Sequence, residues 1–367
     1  MNKSKDKAIL GKYTEKEIYE IPLILKKVIE QKNEIQKIAQ IIKKSGIRHI
    51  YLIGAGSSYH AGFAMNYLFN RITKIPTYTE FSMEFQYLIK PILKKDDCVI
   101  GISQSGETRD TIDSIEIAKD LGCLTIAITN NTNSNLSKVT DFVIGLGCGE
   151  EISVLATKTY VAQLTVLSML SLEISHLNKS ITSEEYNSLW GELRSIPDKI
   201  HSILPILHKK VIDSSYHFKF VKFCFILGSG PDYATAMEGS LKLKEGARIF
   251  GQAYSTAEFP HGPITLADSD TCIIAIIPQE RDSRKNKLLN LLERIKERKA
   301  TILAIYESLD ENIRDLPFDI GLQVPDTSLD LQPLVMILAI QLLTLEIARV
   351  NGLNPDEPKF LKKVSNI

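Results

Sequence analysis

An internal repeat constrains the fold more than any other feature of this sequence. Three strand-like runs of the first half, at residues 49–54, 97–102 and 124–129, return as residues 223–228, 270–275 and 301–306. Gly54 and Gly228 are 174 residues apart, and Asp97 and Asp270 are 173 apart. Because the spacing is nearly constant over three elements, the repeat indicates duplication into two domains of one fold, rather than chance likeness between generic patterns.

Strand-like and helical patterns alternate along both halves of the chain. Strands separated by helices pair in parallel, with helices covering the sheet. We therefore predict an α/β fold in which each domain is a doubly wound parallel sheet flanked by helices. The predicted boundaries are a helical lead-in at 1–30, the first domain at 31–177, a helical connector at 178–204, the second domain at 205–350 and a C-terminal tail at 351–367.

Five local predictions accompany this division. Pro22 is expected to start or break a helix within residues 14–48. A helix is expected at 106–121, and a long apolar helix is expected to open at Glu151. The connector around Trp190 has a polar helical pattern. The apolar segment 334–348 is expected to be a buried helix rather than a membrane span, because Gln341 and Glu346 interrupt it.

Charge and cysteine content exclude several classes of protein. Lys plus Arg and Asp plus Glu both number 44, so no excess charge favours a nucleic acid or an anionic membrane as partner. The five cysteines are scattered through apolar runs and predict reduced core residues rather than disulfides or a metal site. The charged N-terminus lacks an apolar signal region. We expect a cytoplasmic protein.

A hydroxyl-rich loop follows the strand-like run 97–102. It carries Ser103, Gln104, Ser105, Gly106 and Thr108 and leads into a helical pattern. Unpaired backbone N–H groups and the helix dipole attract anions to such a junction. A plain strand-to-helix turn has one capping hydroxyl, whereas the density of hydroxyls here favours an anion site.

The anion predicted for this loop is a phosphomonoester. Neither the dinucleotide fingerprint nor the P-loop motif is present in the sequence, which disfavours a nucleotide. The second copy has Pro-Gln-Glu-Arg-Asp at 278–282 in place of the hydroxyl loop. Only the first domain is therefore expected to bind phosphate.

Two segments of the second half carry candidate catalytic groups. Glu238, Lys242 and Glu245 are spaced by three and four residues, so two carboxylates and a lysine share one helix face. A solvated surface pair is the default interpretation of such spacing. His261 lies in a loop between Pro260 and Pro263, and a rigid polar loop suits catalysis, although a single loop histidine is more often structural.

The motifs taken together resemble the double sugar-isomerase (SIS) family, which includes the isomerase half of glucosamine-6-phosphate synthase and stand-alone glucosamine-6-phosphate deaminases. The similarity covers nearly the whole chain from about residue 14. It rests on Gly-Ala-Gly-Ser-Ser at 54–58, Ser-Gln-Ser-Gly-Glu-Thr at 103–108, Glu151 with Thr157-Lys158, residues 238–245, Glu-Phe-Pro-His-Gly-Pro at 258–263, and Pro358, Leu361, Lys363 and Val364 in the tail.

This resemblance implies a role for each matching residue. The sugar phosphate would be bound by Ser57, Ser58, Ser103, Gln104, Ser105 and Thr108, with Val154 and Ala156 beside the sugar. Glu245 matches the base that moves a proton between C1 and C2, and Lys242 a lysine that assists nearby. His261 matches a ring-opening histidine donated by the other subunit of a homodimer. Lys363 matches a lysine that forms a Schiff base with the open ketose, and no metal or cofactor is implied.

The function implied by the resemblance is conversion of glucosamine 6-phosphate to fructose 6-phosphate with release of ammonia. Proton transfer between adjacent carbons suits a glutamate of near-neutral pKa, and an amine suits condensation with a carbonyl. Residue 2 is Asn, so hydrolysis of glutamine by an N-terminal cysteine is not expected, and Phe360 and Lys362 depart from the synthase pattern. The alternatives are the isomerase part of the aminotransferase that makes glucosamine 6-phosphate, a fructosamine-6-phosphate deglycase and a non-catalytic sugar-phosphate sensor.

Overall fold

Two sheets, each of five parallel strands, organise the chain. The computed structural model describes residues 9–278, 283–307 and 317–363. The first sheet contains β1 (His49–Gly54), β2 (Thr77–Phe81), β3 (Asp97–Ile102), β4 (Leu124–Thr129) and β5 (Phe142–Gly145). The second contains β6 (Phe223–Gly228), β7 (Phe250–Ser255), β8 (Cys272–Ile276), β9 (Thr301–Glu307) and β10 (Ile320–Val324).

The two sheets have the same strand order. Along the sheet, the order is β2-β1-β3-β4-β5 in the first and β7-β6-β8-β9-β10 in the second. This is the flavodoxin-like, doubly wound order. The prediction of a duplicated parallel α/β fold is therefore confirmed.

Eleven α-helices connect and cover the sheets in the described part of the chain. They are α1 (Lys12–Glu30), α2 (Lys32–Lys44), α3 (Ser57–Leu68), α4 (Phe85–Leu88), α5 (Arg109–Asp120), α6 (Asn135–Val139), α7 (Lys158–Asn178), α8 (Ser183–Ser215), α9 (Pro231–Lys242), α10 (Ser283–Lys296) and α11 (Pro333–Val350). A π-helical turn follows α3 at Phe69–Thr73, and another follows α9 at Leu243–Ala247.

Helices α7 and α11 form the centre of the molecule and are buried along almost their full length. Helix α7 packs on α1, α2 and α3, and α11 packs on α8 and α9. Helix α11 is long and apolar enough to cross a bilayer, but 89 % of that stretch is buried inside the protein. The expectation of a buried helix at 334–348 is confirmed, as is the burial of all five cysteines as free thiols.

Helix α1 contradicts the expectation for Pro22. The helix runs through Pro22 and ends only at Glu30. Ile18, Ile21, Leu25 and Val28 on its inner face are buried. Tertiary packing of this apolar face outweighs the hydrogen bond that a proline removes from the helix.

Two other helices begin later than predicted. Helix α5 starts at Arg109, because residues 103–108 form a loop closed by a hydrogen bond between the Ser103 and Thr108 hydroxyls. Helix α7 starts at Lys158, because the Glu151 side chain accepts from the backbone N–H groups of Thr157 and Thr159 and holds 151–157 as a loop.

The connector is one long helix, α8, with a buried face that includes Trp190. It is amphipathic rather than polar, because this face packs on α1 and α11. Within the second-copy segment 278–282, residues 279–282 lie outside the described residues.

Leu167 of α7 tests the central role of this helix. Its side chain is fully buried in the main core, so Leu167→Ala should lower the free energy of unfolding by about 2–5 kcal/mol through lost burial and a residual cavity. Urea unfolding followed by circular dichroism measures the change. Ile206→Ala, at a side chain that is 70 % exposed, should change it by less than about 0.5 kcal/mol.

Candidate functional site

A cleft opens at the carboxyl ends of β1 and β3. These two strands are neighbours, and the connections that leave them run to opposite sides of the sheet. Such a switch point leaves a crevice between the loops, where open α/β sheets bind their ligands. The cleft is lined by Ala55, Ser57, Ser58, Ser103, Gln104, Ser105, Thr108, Glu151, Val154, Ala156, Lys242, Glu245, Leu361, Lys362 and Lys363.

The hydroxyl loop after β3 forms one wall of the cleft. The Ser103 hydroxyl lies 2.9 Å from that of Thr108 and accepts from the Gly106 backbone N–H at 3.1 Å. Gly106 has φ +69°, and a Cβ there would lie 2.0 Å from Ser134 Oγ. The loop is therefore folded tightly at the N-terminus of α5, where an anion is favoured.

Ser57 and Ser58 begin α3 and form the adjoining wall. The Ser58 hydroxyl accepts from Gln163 of α7 at 3.0 Å, so a core helix fixes its position. The Ser57 hydroxyl donates to Glu238 of α9 at 2.8 Å. The second contact joins the first domain to the second at the floor of the site.

Lys242 and Glu245 bring the second domain into the same cleft. Lys242 Nζ donates to Glu245 Oε2 at 2.7 Å and lies 3.4 Å from Glu238 Oε1. Glu245 lies on the π-helical turn that follows α9, and the wider turn of a π-helix is frequent at functional sites. The side chain of Glu245 is 19 % exposed, whereas that of Lys242 is 1 % exposed.

Burial and pairing set the charges of this cluster. Burial opposes a charge on Lys242, but Glu238 and Glu245 raise the pKa of its ammonium above the ordinary value. Burial also opposes ionisation of Glu238, yet Lys242 and His60, whose Nδ1 lies 2.7 Å from Glu238 Oε2, lower the pKa of that carboxyl. Lys242 is therefore a fixed cation, suited to stabilise negative charge on a substrate rather than to act as a nucleophile.

The C-terminal tail closes the cleft. Lys363 Nζ donates to Glu151 Oε2 at 2.6 Å and to the Ser153 carbonyl at 2.5 Å. The Glu151 side chain is fully buried and also accepts from Thr159 Oγ1 at 2.8 Å. The Glu151 carboxylate thus holds the tail amine and caps α7 at the same time.

Glu17 of α1 lies behind this part of the cleft. Its carboxylate accepts from the Ile152 N–H at 2.5 Å and from the Ser153 N–H at 3.3 Å. Burial, with a further contribution from the Glu151 charge, raises the pKa of Glu17 to about 7, although these N–H groups and Lys363 oppose the shift. A buried carboxyl that titrates near neutrality therefore supports the loop that holds Lys363.

His261 is the one predicted catalytic residue that lies outside this cleft in the described chain. It is exposed, in the turn after β7, while its neighbour Phe259 is buried against Phe225 and Tyr254. The histidine is therefore presented outward from a firmly anchored loop. This placement leaves it free to meet a second molecule.

Every other predicted site residue lines the one cleft. The sequence analysis assigned no role in the site to four of the lining residues, which are Ala55, Glu151, Leu361 and Lys362. The residues that flank Glu151 in sequence give no sign that its carboxylate reaches the tail 212 residues away. Among the described residues, no group of three or more His, Cys, Asp or Glu side chains lies close enough to hold a metal ion.

The family comparison matches this arrangement. The family described as "SIS domain" matches residues 42–172 and 221–350, which contain both sheets. This chain belongs to the SIS domain family. The predicted family resemblance is confirmed, and the internal repeat corresponds to two successive SIS domains.

Relatives of this SIS protein include glutamine–fructose-6-phosphate aminotransferases. That of Bacteroides thetaiotaomicron is 33 % identical over 341 residues, covering 93 % of this chain and 53 % of that protein. That of Thermotoga maritima is 35 % identical over 330 residues, covering 90 % and 53 %. This chain thus spans about half the length of these relatives.

Solved structures share the two-domain SIS fold. The C-terminal domain of the Francisella tularensis glucosamine-fructose-6-phosphate aminotransferase superposes with a TM-score of 0.86 at 28 % identity, covering 95 % of this chain and 98 % of that one. A glucosamine-6-phosphate deaminase from Thermotoga maritima gives 0.70 at 23 % identity, covering 93 % and 98 %. The second likeness concerns the fold alone.

The two SIS domains use the same backbone for different purposes. Each has a π-helical turn, at Phe69–Thr73 and Leu243–Ala247, 174 residues apart. At the matching position within these turns, the first has Arg71 and the second has Glu245. Arg71 binds Asp330 and Glu185 at 2.5–2.8 Å and so joins the domains, whereas Glu245 faces the cleft.

Gly106→Ala tests whether the hydroxyl loop binds an anion. A Cβ at this position would displace Ser134, and its positive φ adds strain. We expect a sugar phosphate to bind this variant at least tenfold more weakly than wild type, as measured by isothermal titration calorimetry. Gly149→Ala is the matched control, because Gly149 also has a positive φ but has nothing within 4 Å; equal losses in the two variants would contradict the prediction.

Glu17→Gln should change how stability depends on pH. The pKa of Glu17 is about 7 in the folded protein against a reference value of 4.5, so its stabilising contribution is complete below pH 4.5 and is lost as the pH rises through 7. The glutamine variant lacks this loss. Relative to wild type, its free energy of unfolding should rise by up to about 3 kcal/mol between pH 4.5 and 8. Urea unfolding at several pH values measures the difference, and a difference independent of pH would contradict the prediction.

Proposed function

We propose that this protein is a phosphosugar aldose–ketose isomerase and deaminase that converts glucosamine 6-phosphate and water to fructose 6-phosphate and ammonia. The observation that carries the proposal is a single cleft that contains both the hydroxyl loop and the Glu245 carboxylate. An anion site beside a paired carboxylate and ammonium suits proton transfer on a phosphorylated sugar. The names of its relatives, isomerizing aminotransferases acting on fructose 6-phosphate, agree with this chemistry.

In the proposed reaction, Ser103, Gln104, Ser105, Thr108, Ser57 and Ser58 bind the phosphate, and Val154 and Ala156 lie beside the sugar. Glu245 removes the proton from C2 of the open-chain amino aldehyde and returns it to C1. This transfer, together with a second proton that passes from the C2 nitrogen to the C1 oxygen, converts the 2-amino aldose to a ketimine at C2. The fixed charge of Lys242 stabilises the negative oxygen that develops during the transfer.

Lys363 takes part after the proton transfer. Glu151 accepts a proton from the Lys363 ammonium, and the neutral amine attacks C2 of the ketimine, so that ammonia leaves and a Schiff base to Lys363 forms. Water then adds to C2, the bond to Lys363 breaks, and fructose 6-phosphate is released. The balance is one water consumed and one ammonia produced.

His261 is assigned to ring opening at the cleft of a second subunit. Its exposed position on an anchored turn supports this assignment. The proposed assembly is a homodimer with shared active sites, located in the cytoplasm, with neither a nucleic acid nor a membrane as partner. The sugar phosphate is the small-molecule ligand.

A second candidate function is the isomerase part of an aminotransferase that makes glucosamine 6-phosphate. The similarity to such a domain over 95 % of this chain favours it. A fructosamine-6-phosphate deglycase and a sugar-phosphate sensor are the remaining alternatives. The sensor is disfavoured because binding alone does not need Glu245.

Glu245→Gln tests the proposed base. The variant should lower kcat for release of ammonia from glucosamine 6-phosphate by about 10²–10⁴-fold, because an amide cannot accept the proton. KM should change by less than about threefold, since the substitution leaves the hydroxyl loop unchanged. A coupled ammonia assay measures both constants.

The exposed Glu116 on α5 supplies the control, Glu116→Gln, which should leave turnover unchanged. Unaltered turnover in Glu245→Gln would refute the mechanism. Release of ammonia from glucosamine 6-phosphate by the wild type supports the deaminase, whereas ammonia-dependent formation of that sugar alone supports the aminotransferase alternative. Release of an amino acid from a fructosamine 6-phosphate supports the deglycase, and binding without any product supports the sensor.

A further inference from the structure

The N-terminal helix α1 is attached to the tail that carries Lys363. The Asp356 carboxylate accepts from the backbone N–H groups of Tyr13 and Thr14 at 3.0 and 2.7 Å, and also from Thr14 Oγ1 at 2.7 Å. An acceptor from the tail thus satisfies two of the free N–H groups at the start of α1, as a capping residue would. This contact fixes the first turn of α1 beside the tail.

The same helix is attached to the loop that lines the cleft. Thr14 Oγ1 lies 2.8 Å from Ser153 Oγ, and the Val154 N–H donates to the Asp356 carbonyl at 3.1 Å. One turn further along α1, the Glu17 carboxylate binds the N–H groups of Ile152 and Ser153. Helix α1 therefore holds both segments that meet at Lys363.

Glu17 acts on the two groups that bind the Lys363 amine. These are the Glu151 carboxylate and the Ser153 carbonyl. The two N–H groups that Glu17 holds, those of Ile152 and Ser153, belong to the peptide units directly between them. A change in the reach of the Glu17 side chain therefore shifts both acceptors of the amine.

We propose that Glu17 is a positioning residue for Lys363, setting the 151–153 segment so that the tail amine is aimed at the substrate carbonyl. This inference rests on the function proposed above and extends it to a helix that contributes no residue to the lining of the cleft. Positioning of a reacting group to within a fraction of an ångström has large effects on rate. Glu17 thus couples the N-terminal helix to the chemistry of the tail.

Electrostatics at this position are consistent with the proposal. Glu17 and Glu151 are both buried, and their mutual repulsion adds to the burial that raises the pKa of Glu17, while Lys363 opposes it. Two carboxyl groups and one ammonium thus share a buried region. The burial of Glu17 is tolerated because the backbone N–H groups of Ile152 and Ser153 donate hydrogen bonds to its carboxylate.

Two variants of Glu17 distinguish the effect of side-chain length from the effect of the carboxylate charge. Glu17→Gln keeps an oxygen at the same distance from the backbone but removes the charge, whereas Glu17→Asp keeps the charge and shortens the side chain by one methylene. Reduction with borohydride in the presence of saturating fructose 6-phosphate traps a Schiff base at Lys363, which mass spectrometry of peptides quantifies. Wild type should yield this adduct.

Positioning predicts a rank order for the trapping rate. Glu17→Gln should trap within about threefold of wild type, and Glu17→Asp should trap about tenfold more slowly. The dissociation constant for fructose 6-phosphate should change by less than about threefold in both, because Glu17 binds the backbone of residues 152–153 rather than the hydroxyl loop. Glu20→Gln, on the same helix, alters a carboxylate that binds Lys158 at 2.8 Å and should trap at the wild-type rate.

Each other outcome overturns the inference. If Glu17→Asp traps as fast as wild type, or if Glu17→Gln is the slower variant, reach does not position Lys363. If trapping falls only in proportion to sugar-phosphate binding or to the folded fraction, Glu17 is merely structural. Absence of any Lys363 adduct in wild type refutes the Schiff-base step of the proposed function and this inference with it, whereas a wild-type adduct with an unaffected Glu17→Asp refutes the inference alone.

Discussion

The buried ion cluster around Lys242 is the interaction on which the site depends. Its ammonium lies between the Glu238 and Glu245 carboxylates and 3.2 Å from the Ser57 hydroxyl. Removing one member of such a cluster leaves an uncompensated buried charge, which costs several kcal/mol. The cluster therefore fixes the second SIS domain against the first at the point where the hydroxyl loop and Glu245 line the same cleft.

Duplication gave the chain two domains of one fold whose matching positions carry different residues. The two sheets have the same strand order, but matching positions have different residues, as Arg71 and Glu245 show on the two π-helical turns. In the first domain that position holds the domains together through Asp330 and Glu185. In the second it supplies a carboxylate to the cleft, and for this reason the proposed function assigns binding to the first copy and chemistry to the second.

Local sequence patterns predicted most of the fold, and together with the family resemblance they predicted most of the lining of the cleft. The strand-to-helix junction at Ser103 and the spacing of Glu238, Lys242 and Glu245 could be identified, because the relevant residues are close in sequence. The continuation of α1 through Pro22 could not be predicted, because it depends on packing against helices that are distant in sequence. The roles of the site residues stay predictions, and the outward position of His261 is set by the anchoring of Phe259 rather than by the two flanking prolines alone.

Contacts between residues far apart in the sequence could not be predicted from local patterns, and these contacts complete the cleft. Glu17 and Lys363 both lie outside the segments that match the SIS family, 42–172 and 221–350. The Gly11 N–H donates to Asn354 Oδ1 at 3.0 Å, and Arg349 binds the Leu10 carbonyl at 2.9 Å, so the two ends of the described chain meet beside the site. The SIS fold supplies the hydroxyl loop and a paired carboxylate, whereas the tail amine belongs to a segment outside the residues that match the family. These segments hold each other through hydrogen bonds between side chains of one and backbone groups of the other. Under the proposed positioning of Lys363, a change in either end would therefore move the amine and leave the hydroxyl loop in place.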